Sequence, residues 1–240
     1  MLIKTYDDKD PEIQTLFQLL EATSNPEKRK VIAREIKKLQ FTQNSDKASL
    51  DELSVHFGEA ERYHLIQDFW LNIDGKLAHI DHLLINRYLD IHVLDTKHFS
   101  EGLSVSEDEE FMAWYGGKSH SIPSPLERNE QSIAVLIEAM RFIHLPTRFG
   151  IAIKPAYYSA ALVSNRATLL QPELADSNTF KTDQFASLLI KEADAAGVFS
   201  ALSLLPRMLS LDALARFTHQ LVAMHRPQQT NWRTKLALAA

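Results

Sequence analysis

Apolar residues in the N-terminal part of the chain recur at the spacing of an amphipathic helix. Between residues 26 and 39 they lie on one helical face among lysines and arginines, at Val31, Ile32, Ile36 and Leu39. This pattern predicts a basic amphipathic helix from Pro26 to Leu39. A polar stretch follows it, and the capping residues around Ser45 predict that a second helix begins there.

Short runs of β-branched and aromatic residues replace the helical pattern after Gly58. Three such runs, at residues 65–71, 77–85 and 91–99, are separated by turn residues and predict an antiparallel meander of three strands. Residues 102–105 and 111–115 predict a further hairpin before Gly116-Gly117.

The second half of the chain alternates between helical and extended patterns. A helix is predicted after Pro123-Ser124-Pro125, over residues 126–144, and two strands over residues 149–154 and 160–163. Two further helices are predicted over residues 182–195 and 210–225. This order predicts an α/β fold in which helices flank a mixed sheet.

Composition narrows the chemistry that this fold could carry. The 240 residues include no cysteine, which excludes disulfide scaffolds, thiolate metal sites and cysteine nucleophiles. With a formal charge of −5, the chain lacks the overall basic character of a typical nucleic-acid binder, although it could still carry a local basic patch. With no signal-peptide pattern and no apolar run of about 20 residues, we expect a cytoplasmic protein that does not enter a membrane.

Two carboxylates and a lysine lie in strands whose other residues are largely apolar. Asp81 interrupts one predicted strand, and Asp95 and Lys97 lie in the next. Buried carboxylates persist only when they are paired, hydrogen-bonded or bound to a metal. Alternate residues share a strand face, so Asp95 and Lys97 project together, and pairing of the two strands would bring Asp81 to Asp95 near one end.

Such a cluster suits metal-assisted phosphoryl chemistry. Two carboxylates provide hard oxygen ligands for Mg²⁺ or Mn²⁺, which would activate a water and neutralise charge on phosphorus. Lys97 would orient or help to deprotonate that water. A buried Asp–Lys salt bridge accounts for the same residues equally well, so the residues alone leave both interpretations open.

Other motifs give weaker signals. His79, His82, His92 and His98 fall in the same strands, but His79 and His82 are three positions apart and point to opposite faces, which disfavours a zinc site. The glycines at positions 116 and 117 lack the spacing of a phosphate-binding loop and predict a turn.

Three segments together resemble a known family. They are Ala78-His79-Ile80-Asp81-His82, Leu94-Asp95-Thr96-Lys97, and Pro123-Ser124-Pro125 leading into a helix. This combination resembles the nuclease-related domain, NERD, of the PD-(D/E)-x-K superfamily. The resemblance implies a restriction-endonuclease-like fold and metal-dependent phosphodiester hydrolysis. We expect the domain to cover residues 45–227, after an N-terminal helical extension of residues 1–44 and before a C-terminal tail of residues 228–240.

The resemblance also assigns roles to individual residues. Asp81 matches the first metal-binding aspartate, Asp95 the Asp/Glu position, and Lys97 the catalytic lysine. The family usually has Gly-Glu in the preceding helix, where this chain has Ser45-Asp46, so Asp46 is expected to complete the metal site. Glu52 is an alternative, and Glu59 is expected in the loop before the first strand.

A second departure concerns contact with the substrate. The family usually has glutamine after the Ser-Pro turn, where this chain has Arg128, and Gln131 lies one helical turn further. Arg128 and Gln131, together with Lys37 and Lys38 of the basic helix, are therefore predicted to bind nucleic acid.

The sequence leads to a primary hypothesis and a rival. The primary hypothesis is an Mg²⁺- or Mn²⁺-dependent nuclease that acts on nucleic acid, DNA more than RNA, and a homodimer is compatible with it. The rival is a catalytically impaired nuclease fold that binds nucleic acid or another protein. The replacements at Asp46 and Arg128, together with the acidic net charge, favour the rival.

Overall fold

The computed structural model describes residues 1–97, 101–108, 110–172, 178–195, 207–228 and 230–236; for residues 45–51, 97 and 192–195 it describes the backbone alone. The chain forms two compact units. The larger combines Met1–Thr5 with Leu50–Arg226, and the smaller combines Tyr6–Ser49 with Pro227–Ala240. Residues 1–5 group with the larger unit because they add a strand to its sheet.

The helices are named here in chain order. They are α1 (Asp10–Ala22), α2 (Pro26–Phe57), α3 (Pro125–Ala139), α4 (Thr182–Ala195), α5 (Leu211–Ala223) and α6 (Trp232–Lys235). None of these described helices combines the length and apolar character that a membrane crossing requires.

Helix α2 is continuous, so the prediction of a separate helix that begins at Ser45 is wrong. No glycine or proline lies between Glu27 and Phe57, and Gly58 follows directly. Capping residues stabilise a helix end by only about 1 kcal/mol, and they do not stop a helix whose backbone hydrogen bonds can continue.

The strands form three sheets. In chain order they are β1 (Leu2–Lys4), β2 (Tyr63–Ile73), β3 (Lys76–Asn86), β4 (Asp90–Lys97), β5 (Gly102–Val105), β6 (Phe111–Tyr115), β7 (Lys118–Ile122), β8 (Thr147–Arg148), β9 (Ile151–Ala152), β10 (Ala156–Val163), β11 (Thr168–Leu170) and β12 (Thr179–Lys181). The largest sheet has the order β1-β2-β3-β4-β10-β12, and β11-β5-β6-β7 form a second sheet.

The central sheet is mixed, as predicted. The meander β2-β3-β4 is antiparallel, whereas β10 pairs in parallel with both β4 and β12. The chain therefore crosses from β4 to β10 through the second sheet and α3. This mixed sheet flanked by helices is consistent with a restriction-endonuclease-like fold, and the expectation of that fold is confirmed.

Two apolar cores pack helices against the central sheet of the larger unit. One core packs α3 and α5 against the sheet, and its fully buried members include Leu83, Val93, Leu136, Phe217 and Leu221. The other packs α4 and the C-terminal part of α2 against the sheet, with Leu53, Phe57, Leu84, Leu94 and Phe185. In the smaller unit, α1, the N-terminal part of α2 and α6 share a separate core around Leu16, Ile32 and Trp232.

Several short strands were missed or misplaced by the sequence patterns. The predicted strand over residues 149–154 is instead a tight hairpin of β8 and β9, and β10 begins earlier than expected, at Ala156. Strands β1, β7, β11 and β12 were not predicted, because three to five residues carry too little periodicity to be recognised.

A partly buried histidine of β4 makes the stability of the larger unit depend on pH. Burial lowers the pKa of His92 to about 4, an effect partly offset by the charge of Asp90. The ring stacks on Tyr158 with centroids 5.0 Å apart. The unfolded chain therefore takes up a proton below about pH 6.5 while folded His92 stays neutral, so stability is full above that pH and is lost below it.

We expect His92 to lower the free energy of unfolding by about 2 kcal/mol between pH 7.5 and pH 5. The variant His92→Phe should lose this part of the pH dependence, as measured by urea denaturation at the two pH values. Replacement of the exposed His120 by Phe is the control. An unchanged pH dependence in His92→Phe would contradict the assignment.

Candidate active site

The register of β3 and β4 brings Asp81 and Asp95 together. Paired residues run from Ile85 and Ile91 to His82 and Leu94, and the two aspartates follow at the next positions. There the ladder ends, and the backbone N–H of Thr96 donates a hydrogen bond to Asp81 Oδ2 at 3.0 Å. The two carboxylates thus meet at one end of the strand pair, as predicted from the sequence.

A cation from α3 bridges the two carboxylates. Arg128 Nη2 donates to Asp81 Oδ1 and Arg128 Nη1 donates to Asp95 Oδ2, both at 2.9 Å. The Asp95 side chain is 1% exposed and that of Arg128 is 40% exposed. One guanidinium therefore neutralises part of the negative charge that these strands bury.

The electrostatics of Arg128 reflect this position. Partial burial lowers the pKa of the guanidinium, but the charges of Asp81 and Asp95 more than offset burial and raise the pKa. Arginine stays charged at any physiological pH, so Arg128 is a permanent cation beside the acidic pair.

Local features of α3 hold Arg128 at the carboxylates. The Ser124 side chain caps the helix by accepting from the backbone N–H of Glu127 at 3.3 Å, and Pro125 occupies the first turn. The neighbouring Asn129 donates through Nδ2 to the backbone oxygens of Val93 and Ala160, at 3.1 and 3.0 Å. The cap and the Asn129 contacts fix both the start and the rotation of α3 over the sheet.

A histidine and a third aspartate extend the cluster. His79 Nε2 lies 2.8 Å from Asp68 Oδ1, and His79 Nδ1 lies 3.0 Å from Arg128 Nη2. The ring stacks on Trp70 with centroids 4.0 Å apart, and Trp70 Nε1 donates to Asp68 Oδ1 at 2.9 Å. Because Arg128 can only donate, Nδ1 must accept and Nε2 carries the proton, which fits a neutral imidazole.

An irregularity in β2 creates this arrangement. The ladder between β2 and β3 skips the pair Asp68 and Asp81, and Asp68 has a φ of +48°. Lys4 of β1 donates through Nζ to the backbone oxygens of Gln67 and Asp68, each at 3.0 Å. The edge strand thus provides a cation that satisfies carbonyl groups at the interruption.

Other predicted site residues lie elsewhere or only partly within the described structure. Lys97 ends β4, paired with Val163, and Asp46 lies within α2; neither side chain belongs to the described part. Gln131 is exposed on α3. Lys37 and Lys38 are exposed on the smaller unit.

The two acidic alternatives to Asp46, Glu52 and Glu59, lie at the end of α2 and in the loop that follows it. Glu52 accepts from the Ser164 hydroxyl at 2.7 Å and from the Asn165 backbone N–H at 3.3 Å, in the turn after β10. Glu59 lies in the loop before β2, as expected. The Glu52 contacts therefore belong to the connection that follows β10.

The histidines of β3 have different partners. Whereas His79 contacts Asp68 and Arg128, His82 is fully buried and its Nδ1 lies 2.8 Å from Thr96 Oγ1. Within the described part of the chain, no group of three or more His, Asp or Glu side chains is arranged to hold a metal.

The donors of the acidic pair nevertheless suit a divalent cation. Oxygens of Asp81 and Asp95 converge on one positive group, and carboxylate oxygens are the ligands that Mg²⁺ and Mn²⁺ prefer. An ion held by both carboxylates would take the place of the Arg128 guanidinium.

The mixed sheet flanked by helices is consistent with the restriction-endonuclease-like fold of the PD-(D/E)xK class of nuclease-related proteins. Within that class, residues 42–158 match the family model described as the nuclease-related domain, NERD, and this part of the chain is a NERD domain. Comparison with curated proteins and with solved structures gave no significant match.

The network of Asp68, His79 and Trp70 was not predicted from the sequence. Asp68 carries the same signal as Asp81, since it is a charged residue inside an apolar strand. Its partners depend on the interrupted ladder, which the sequence does not reveal. Trp70 and His79 are cross-strand neighbours once the register is known.

Removal of the bridging cation should destabilise the larger unit. With divalent ions chelated at pH 7, we expect Arg128→Gln to lower the free energy of unfolding by about 2 kcal/mol. That is less than the cost of breaking a fully buried pair, because Arg128 is partly exposed. Urea denaturation measures the change, and exposed Arg166→Gln is the control. Equal stability of the two variants would refute the structural role of the bridge.

Proposed function

We propose that this protein is a metal-dependent nuclease that hydrolyses phosphodiester bonds in nucleic acid, DNA in preference to RNA. The observation that carries the proposal is the convergence of Asp81 and Asp95, inside the NERD segment, on a single cationic group. The position of Lys97, two residues after Asp95 on the same strand, adds the third element of the D…D-x-K pattern.

Each of these residues has a proposed role. Asp81 and Asp95, with Asp46 from α2, would hold Mg²⁺ or Mn²⁺, which supplies an activated water and neutralises charge at phosphorus. The Thr96 backbone N–H keeps Asp81 oriented through its second oxygen. Lys97 orients or deprotonates the attacking water and stabilises the charge of the transition state.

Arg128 fits this proposal as a phosphate contact. A guanidinium displaced from the carboxylates would remain attached to α3 beside them, and its planar fork suits bidentate contact with phosphate oxygens. Gln131, Lys37 and Lys38 are exposed and are proposed as further contacts with the nucleic acid. A homodimer in the cytoplasm, which would present two sites to a duplex, is part of the same proposal.

The Arg128 bridge also favours a second candidate function. Its guanidinium already pairs with one oxygen of each carboxylate, which reduces their need for a metal. In this candidate the domain is catalytically impaired and binds nucleic acid or a protein partner. The two candidates differ in whether divalent ions can displace Arg128.

Thermal unfolding with Mg²⁺ or Mn²⁺ separates the candidates. For a nuclease, millimolar ion should raise the unfolding midpoint of the wild type and raise that of Arg128→Gln further, because the competing cation has been removed. Asp81→Asn should show no shift. Chelator and matched ionic strength provide the controls.

Two other outcomes of this experiment would contradict an active metal-dependent nuclease. A shift confined to Arg128→Gln would show that Arg128 keeps the metal out of the natural protein, as the impaired candidate requires. If none of the three proteins shifts, the acidic pair does not hold metal and the metal-dependent proposal fails.

Substitution of the proposed catalytic lysine tests the reaction itself. We expect Lys97→Ala to reduce cleavage of a DNA panel at least a hundredfold, the lower end for losing a positioned acid–base group. The unfolding midpoint should change little. Lys118→Ala, on exposed β7, is the control. Undiminished cleavage by Lys97→Ala would disprove the assigned role.

A further inference from the structure

Three hairpins of the larger unit turn through two residues with the same backbone shape. Asp74-Gly75 joins β2 to β3, Gly116-Gly117 joins β6 to β7, and Phe149-Gly150 joins β8 to β9. Their first residues have φ values of +50°, +58° and +52°, and their second residues +82°, +70° and +78°. Turns of this kind favour Asn, Asp or Gly at the first position, so phenylalanine is the exception.

The side chain of Phe149 does not pack into any core of the larger unit. It is 84% exposed, and Ile151, in the second strand of the hairpin, is 73% exposed. Phe142, which precedes the hairpin in the turn that follows α3, is 65% exposed. A bulky residue in a left-handed conformation with its ring in solvent is a strained feature that folding does not require.

One cation contacts the ring at this apolar tip, and two more lie close to the hairpin in sequence. The guanidinium carbon of Arg148 lies 5.4 Å from the centroid of the Phe149 ring, and Arg148 also donates to the backbone oxygen of Met208. Arg141 and Lys154, which lie on either side of the hairpin in sequence, are both exposed. The whole chain carries a formal charge of −5, so these cations stand out against the average of the molecule.

An exposed aromatic ring in contact with a cation, with further cations close in sequence, is complementary to a nucleic acid strand. Bases stack on aromatic rings whatever their sequence, and lysine and arginine bind the phosphates on either side. We propose that the hairpin Thr147–Ala152 is a nucleic-acid contact in which Phe149 stacks on an unpaired base and Arg148, Arg141 and Lys154 bind the backbone. This inference rests on the proposed function, because it assigns a substrate contact to the same domain.

In the order of the chain, the hairpin follows α3, whose first turns contact the acidic pair. Arg128 lies near the start of α3, whereas the hairpin follows the end of α3 and precedes β10. From Arg128 to Ala139 the helix rises by about 17 Å, roughly the length of five stacked nucleotides of one strand. A strand that reaches both places would be held by Phe149 while a phosphodiester several nucleotides away lies at Asp81 and Asp95.

The decisive variant is Phe149→Asn, because asparagine suits the turn and lacks the ring. Its unfolding midpoint should equal or exceed that of the wild type. Its affinity for a fluorescein-labelled, mixed-sequence 20-nucleotide single-stranded DNA, measured by anisotropy in chelator, should fall at least about fivefold, the lower end for losing one base–aromatic stack.

Two controls isolate the ring at this position. Asp74→Asn makes a change at the equivalent turn position of the β2–β3 hairpin, and Phe41→Gln removes an exposed ring from α2. Both should bind the single strand as the wild type does. The shift of the unfolding midpoint by divalent ions should be the same in Phe149→Asn as in the wild type.

The possible results separate failure of the hairpin contact from failure of the nuclease proposal. Equal DNA affinity of Phe149→Asn and the wild type would overturn the hairpin contact and leave the nuclease proposal standing. Loss of binding to anionic phospholipid vesicles in Phe149→Asn, with DNA affinity unchanged, would also overturn it in favour of a membrane contact. If the wild type does not bind the single strand, the hairpin contact is overturned whatever the metal experiments show.

Discussion

The ion pairs of Arg128 with Asp81 and Asp95 are the constraint on which the organisation of the larger unit depends. Asp95 is almost completely buried, and a buried carboxylate is tolerated only with a compensating partner. Arg128 supplies such a partner to both carboxylates, and α3 therefore docks with its first turns over the strand ends. The serine cap and the Asn129 contacts are the means by which the helix reaches that position.

The same charge requirement extends beyond the two ion pairs. Asp68 adds a third carboxylate, and it is stabilised by two neutral donors, the Trp70 indole and the His79 imidazole. His79 in turn accepts a hydrogen bond from Arg128. The cluster is therefore connected from β2 to α3, and a change at one member alters the orientation of the others.

Much of this arrangement could be predicted from the sequence, because its strongest signals are local. The runs that became β2, β3 and β4 are long and bounded by turn residues, so their pairing and the meeting of Asp81 with Asp95 followed from strand geometry. The D-x-K pattern and the Ser-Pro turn carried the family resemblance, which the NERD match confirms.

The parts that could not be predicted depend on contacts between distant residues. Arg128 was identified as a departure from the family, but its bridge depends on the rotation of α3, which buried Asn129 sets. The interrupted ladder at Asp68 has no sequence signal apart from the charge itself. The pattern around Phe149 predicts a strand instead of a hairpin, because apolar residues at turn positions resemble those of a strand.

The crossover from β4 to β10 has a consequence for the order of folding. The meander β2-β3-β4 is local and can close early, whereas Asp95 pairs with Ala161 only after the second sheet and α3 have been placed between them. An early meander brings Asp81 and Asp95 together before Arg128 arrives, so the guanidinium does not yet offset their mutual repulsion. Docking of α3 removes this repulsion at the moment when β10 can add to the sheet, and the two events become cooperative.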